Sequence, residues 1–150
     1  MVKLNLRPAG AEDFARAIDW AADEGWNPGL HDLPPLPAAD PQGVMLGWIG
    51  ARAVSSISLV RYGSGYGFLG FYIVHPEFRG KGHGIATWEC GMARLAGRTV
   101  GLDGVVAQQG NYRKSGFVLA GRNVRHSGRP AVDGGEAQAG IRDLTEAELP

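Results

Sequence analysis

Apolar and polar positions alternate at the start of the chain, where Val2, Leu4 and Leu6 interleave with Lys3, Asn5 and Arg7 until Pro8 and Gly10. A period of two predicts a strand with one buried face. From Ala11 to Glu24 the period lengthens: Phe14, Ala17, Ile18, Ala21 and Ala22 recur at three- and four-residue spacing opposite Glu12, Asp13, Arg16, Asp19 and Asp23. That predicts an amphipathic helix ending at Gly25. Trp26-Asn27-Pro28-Gly29-Leu30-His31-Asp32, followed by Pro34, Pro35, Pro37 and Pro41, cannot continue it and reads as a loop.

Two β-prone runs follow, Val44 to Trp48 and Val54 to Arg61, around the hairpin glycine of Ile49-Gly50-Ala51. A second turn, Gly63 to Gly67, leads into Phe68 to Val74, whose almost wholly apolar and aromatic character predicts a strand buried on both faces. Ile85, Ala86, Trp88, Met92 and Leu95 then have helical spacing, and Gly97 is a stop. Thr99 to Val106 predicts a strand and Gln108 to Lys114 a short helix. Phe117 to Ala120 and Asn123 to His126 predict two closing strands. A meander followed by a β-α-β unit implies an α/β (α+β) domain: a mixed, mainly antiparallel sheet of about six or seven strands flanked by helices.

Length and composition narrow this picture. The 150 residues suit one domain, placed at 1–127. Lys plus Arg and Asp plus Glu number 15 each, so no net field draws the chain to nucleic acid or a membrane surface, and any anion site must be local. No apolar run has signal-peptide or membrane-spanning character, and the lone Cys90 suits a reducing compartment, so a cytoplasmic location is expected. Glycine is abundant, 24 residues, and gathers at turns, at one central loop and in the tail. Nothing suggests a metal site.

The central loop carries the chemistry. An apolar strand, Phe71-Tyr72-Ile73-Val74, runs through His75-Pro76-Glu77-Phe78 into Arg79-Gly80-Lys81-Gly82-His83-Gly84 and then into a helix. Free N–H groups at a helix start, with roughly half a positive charge from the macrodipole, attract phosphate oxygens. Glycines allow close backbone approach, and Arg79 and Lys81 can add charge-assisted bonds. A Walker A loop would need Lys followed by Ser or Thr, which Gly84-Ile85 does not supply. The place of the loop after several strands also departs from a dinucleotide fingerprint.

Arg79-x-x-Gly82-x-Gly84, preceded by Val74-x-Pro76-Glu77-Phe78, resembles motif A of the GNAT acetyltransferases, and Tyr112-x-x-x-Gly116-Phe117 resembles their motif B. The resemblance spans Leu4 to His126 and is nearest to the N-terminal domain of two-domain bacterial members. It implies a sheet splayed between strands four and five, an acyl-CoA co-substrate such as acetyl-CoA, and direct attack of a small-molecule or peptide amine on the thioester. Ile73 and Val74 would bond the pantetheine arm, and Arg79, Gly80, Lys81, Gly82, His83 and Gly84 would hold the pyrophosphate, with the His83 ring exposed. A backbone N–H near Val74 would be the oxyanion donor. Tyr112 would protonate the departing thiolate, and Trp26, Asn27, His31 and Asp32 would bind the acceptor.

The chain also departs from the family. Gly63 to Val74 holds no acidic residue, so the base is sought among Glu24, His31, Asp32 and Asp103. Motif B is compressed, with few residues between Leu102 and Tyr112. These departures motivate an alternative, a catalytically weak CoA-binding sensor or partner domain. Residues 128–150 read as a flexible Gly/Ala-rich tail. Within it, Ile141 to Leu149 echoes Leu6 to Phe14, as if a truncated second domain began there. A homodimer is compatible with the sequence.

Overall fold

The computed structural model describes residues 4–29, 31, 35–129, 142, 145 and 147. Strand β1 is Asn5–Pro8, helix α1 Ala11–Asp23, α2 Pro35–Ala39, β2 Val44–Ile49, β3 Arg52–Tyr62, β4 Tyr66–Val74, α3 His83–Arg94, β5 Thr99–Leu102 and α4 Gln109–Lys114. The five strands lie in chain order, β1 to β4 antiparallel and β5 parallel to β4. Among the described residues no helix is long and apolar enough to cross a membrane.

α1 presents Phe14, Ala17 and Ala21 to one face of the sheet, as the three-to-four spacing predicts. Phe14 meets Phe71 edge-on there, with 5.6 Å between ring centroids. α3 covers the other face, where Trp88 and Leu95 pack with Ile57, Leu59 and Leu69. Burying each of these side chains is worth roughly 1.5–3 kcal/mol. Layers on both sides make β3 the innermost strand, and its residues from Val54 to Val60 are all buried.

The sequence pattern predicts that Phe68 to Val74 is also buried on both faces. β4 is in fact buried only in part, because its second half has lost its neighbour: pairing with β5 runs from Tyr66 with Thr99 to Leu69 with Leu102 and stops. A further correction concerns the sheet's far edge. Residues 103–106 do not extend β5, and 117–120 and 123–126 form no strand, so the described sheet has five strands and not six or seven. Val118 and Val124 are 88% and 73% exposed. β-prone residues without a partner ladder or a surface to bury against do not become strands. The tail, including 141–149, lies outside the described residues except for Gly128, Arg129, Arg142, Thr145 and Ala147, and so does Asp32.

One buried charge ties the layers together. Asp40, 3% exposed, follows α2 and accepts from Arg61 Nε at 2.9 Å and from an Arg94 terminal nitrogen at 2.7 Å, joining the α2 loop to β3 and to the end of α3. Burial alone would raise its pKa. The Arg61 side-chain bond, the Arg61 and Gln42 N–H groups and the Arg94 charge outweigh that and hold it at about 2, below the ordinary 3.8.

A carboxyl held low stabilises the fold above its unfolded pKa and ceases to do so as pH falls through its folded one. Asp40 should therefore contribute on the order of 2 kcal/mol at neutral pH, lost between about pH 4 and pH 2. Urea denaturation checks this: Asp40→Asn should be less stable than wild type at pH 7, and the difference should shrink towards pH 2. A gap that does not vary with pH would contradict it.

Candidate functional site

The end of β4, the loop after it and the gap beside it are built by a break in the β-ladder. Ser58 pairs with Gly70 and Ser56 with Ile73, so Phe71 and Tyr72 together oppose the single residue Ile57. This is a β-bulge, and it bends the strand. Phe71 takes a φ of +45°, a left-handed conformation that costs an aromatic residue about 1 kcal/mol or more. The bulge follows two residues after the last pair with β5, Leu69 with Leu102, so β4 and β5 are unpaired from there onwards.

The inner edge of the gap can be read from the hydrogen bonds of β4. His75 N–H donates to Val54 O at 2.9 Å, which makes Val54 with His75, and then Ser56 with Ile73, the bonded pairs of the ladder. Ile73 thus turns its backbone groups to β3, and its side chain is buried. Val74 turns its N–H and C=O the other way, into the gap. Its carbonyl accepts from Arg79 Nε at 2.8 Å.

The loop enters by a 3-10 turn, Pro76–Phe78, and makes two left-handed steps, with φ of +72° at Gly80 and +82° at Gly82. No atom lies within 4 Å of where a Cβ would stand on either glycine. Gly82 caps α3, and the first helical bond runs from Ala86 N–H to Gly82 O. The N–H groups of His83, Gly84 and Ile85 therefore have no partner within the helix. At Gly84 the helix start lies so near β4 that a Cβ would stand 3.0 Å from the Tyr72 hydroxyl and 3.3 Å from Val74 Cγ2.

The basic side chains are occupied differently from the sequence expectation. Arg79 spans from the Val74 carbonyl to Glu24 at the end of α1, forming an ion pair with it. Lys81 donates to the Glu77 carbonyl at 2.8 Å and lies over the Phe78 ring. Both brace the loop. His83, expected to be exposed, is half-buried with its ring 6.2 Å from Phe78.

Aromatic rings line the gap. Trp88 of α3 forms its floor, 5.2 Å from Tyr72 on the β4 side and stacked at 5.9 Å on Tyr112. The Tyr112 ring lies against the backbone of Gly104, just past β5, so close that a Cβ there would overlap it. Burial raises the pKa of both tyrosines, and the charge Tyr112 would carry raises that of Tyr72 further, so both hold their protons at neutral pH. Tyr72, Trp88 and the Phe71 bulge are the parts that sequence pattern missed. Phe71-Tyr72 reads as ordinary strand, and only the adjacent Gly70 hints at an irregularity.

The expected acceptor residues lie beyond α1. The Trp26 and Asn27 carbonyls both accept from Arg125, at 3.1 and 3.4 Å, and His31 is exposed on a turn. Asp103, at the end of β5, accepts from Asn123 at 3.1 Å. Arg125 and Asn123 thus lead the C-terminal segment from the β5 end to the loop after α1, so Trp26, Asn27 and Asp103 are linked through it. Free helix-start amides, two left-handed glycines and an open strand edge fit a ligand with a phosphate head and an extended, amide-bearing arm.

No family model matches the chain. Its fold is that of the GNAT acetyltransferases. A GNAT-family protein from Xanthomonas campestris pv. campestris superposes with a TM-score of 0.65 at 23% identity, over 83% of this chain and 95% of that one. A GCN5-related N-acetyltransferase from Ralstonia eutropha does so with 0.60 at 14% identity, over 83% and 99%. The chain is also homologous to the holothin acyltransferase of a Pseudoalteromonas species, at 38% identity over 112 residues, 75% of this chain and 38% of the relative. It spans less than two fifths of the length of the curated relatives it matches.

The left-handed geometry at Gly82 makes a direct prediction. Gly82→Val should destabilise the fold by roughly 1–2 kcal/mol, whereas Gly110→Ala, in α4 with open space around it and no positive φ, should be neutral or stabilise by up to ~1 kcal/mol. Thermal melts of the two variants check both signs.

Proposed function

We propose that the chain is an N-acyltransferase that takes an acyl group, acetyl in the simplest case, from an acyl-CoA and transfers it to the amine of a small molecule or peptide. The observation that carries this reading is the joint presence of the open β4 edge and the amide-lined start of α3, meeting at Val74 and Gly84. The homology to a holothin acyltransferase supports acyl transfer as the reaction class.

On this reading the amides of His83, Gly84 and Ile85, with the Gly80 and Gly82 backbone, hold the pyrophosphate, while Val74 offers backbone groups to the pantetheine arm. The thioester then lies over Trp88 between Tyr72 and Tyr112. The amine nitrogen forms a bond to the carbonyl carbon, the C–S bond breaks, and the thiolate takes a proton from Tyr112, which its burial keeps protonated. The attacking nitrogen releases a proton in turn. Glu24, His31, Asp32 and Asp103 are the candidates to accept it, directly or through water. Trp26, Asn27, His31 and Asp32 would shape the acceptor end of the site, with Arg125 steadying the Trp26 and Asn27 backbone.

Acetyl-CoA should stabilise the protein in a thermal-shift titration, by about 2.7 kcal/mol at a hundredfold excess over its Kd. Thiol release with acetyl-CoA and a panel of amines should then identify the acceptor. Tyr112→Phe should lower kcat by about 100-fold and leave CoA affinity within twofold, and any basic limb due to Tyr112 should fall above pH ~10. CoA binding with no turnover on any amine, and no effect of Tyr112→Phe, would point to a CoA-binding module instead.

A further inference from the structure

The left-handed bulge residue has a specific anchor. Ser56 is fully buried on β3, and its hydroxyl donates to the Phe71 carbonyl at 2.7 Å. Among the described residues no peptide bond is cis, so the Phe71 C=O and the Tyr72 N–H lie in one plane and point in opposite directions. The carbonyl points to Ser56 on the β3 side. The Tyr72 N–H therefore points away from β3, towards the side that β5 vacates after Leu69.

Two residues further along, Val74 also faces the gap. The Tyr72 amide sits deeper than Val74, nearer the point of divergence and beside the rings that flank Trp88. A ligand arm that runs along the open edge from the α3 start, past Val74, meets the Tyr72 N–H last. That is the place for the reactive end of the arm and for a donor to its carbonyl oxygen.

We propose that Ser56 is a positioning residue for acyl transfer: by holding the Phe71 carbonyl towards β3, it turns the Tyr72 N–H into the gap to bond the thioester oxygen. The inference rests on the acyl-CoA reading of the gap and adds to it the side chain that orients the donor. As the amine attacks, negative charge develops on that oxygen, and an amide already aimed at it stabilises the charge without reorganisation. Ser56 itself touches neither substrate. Its hydroxyl selects one of two orientations of a peptide, and Phe71 pays in conformational strain for that selection.

The test uses the full chain with CoA and with acetyl-CoA carrying 13C at the carbonyl. In Ser56→Ala the bound carbonyl stretch should move towards its value in free acetyl-CoA, kcat should fall by about tenfold or more, and CoA affinity should stay within about twofold. Ser56→Thr, which keeps the hydroxyl on a strand-compatible side chain, should restore both the frequency and kcat. Ser56→Cys, a weaker donor of similar shape, should lie between, and it decides the matter if Ser56→Ala does not fold.

An unchanged carbonyl frequency in the Ala and Cys variants would overturn the inference while leaving acyl-CoA binding intact. Joint loss of CoA affinity and kcat that Ser56→Thr does not restore would also overturn it, since Ser56 would then serve only the fold. Absence of any acetyl-CoA binding by the wild type would instead sink the acyl-CoA reading, and this inference with it. The infrared measurement needs no acceptor, so an unidentified amine does not blunt it.

Discussion

Everything around the candidate site depends on one extra residue in β4. A regular strand from Tyr66 to Val74 would keep β5 in register to its end and close the sheet, leaving no room between them. Because Phe71 and Tyr72 share a single partner on β3, the strand turns, β5 parts from it, and backbone groups that a sheet would consume are left facing outwards. The aromatic walls of the gap follow from the same event. Tyr72 loses the neighbour that would cover it and rests on Trp88, which also carries Tyr112 from the far side.

The surrounding contacts hold this break in place. α1 seats Phe14 against Phe71 on one face. On the other, α3 comes within van der Waals distance of β4 at Gly84. Asp40 fixes the far end of α3 to β3 through Arg94 and Arg61, so the helix cannot slide along the sheet. Arg79 joins the glycine loop to the end of α1 through Glu24, which puts the two sides of the candidate site under one constraint.

Much of this was legible in the sequence. The 3.6 period of α1 places Phe14, Ala17 and Ala21 inwards, and the order of apolar strand, glycine loop and helix from Phe71 to Leu95 is found as the pattern predicts. The bulge was not legible, since Phe71-Tyr72 has the β propensity of its neighbours and its departure comes from a tertiary bond to Ser56, fifteen positions away. The two closing strands failed for the opposite reason. Phe117 to Ala120 and Asn123 to His126 carry strand propensity, but propensity needs a ladder, and β5 offers only four residues before the chain turns away. The Arg79 and Lys81 side chains, expected to add charge-assisted bonds to a ligand, meet local carbonyls and Glu24, contacts that residue type alone does not foretell.

An open strand edge is ordinarily a hazard, because its unpaired amides and carbonyls can template a strand from another molecule and seed aggregates. In β4 the same irregularity that opens the edge also puts it out of phase. An invading flat strand would bond at Val74, then meet the displaced Phe71-Tyr72 peptide within two residues and lose its repeat. The bulge that opens the edge thus also works against strand addition from another molecule.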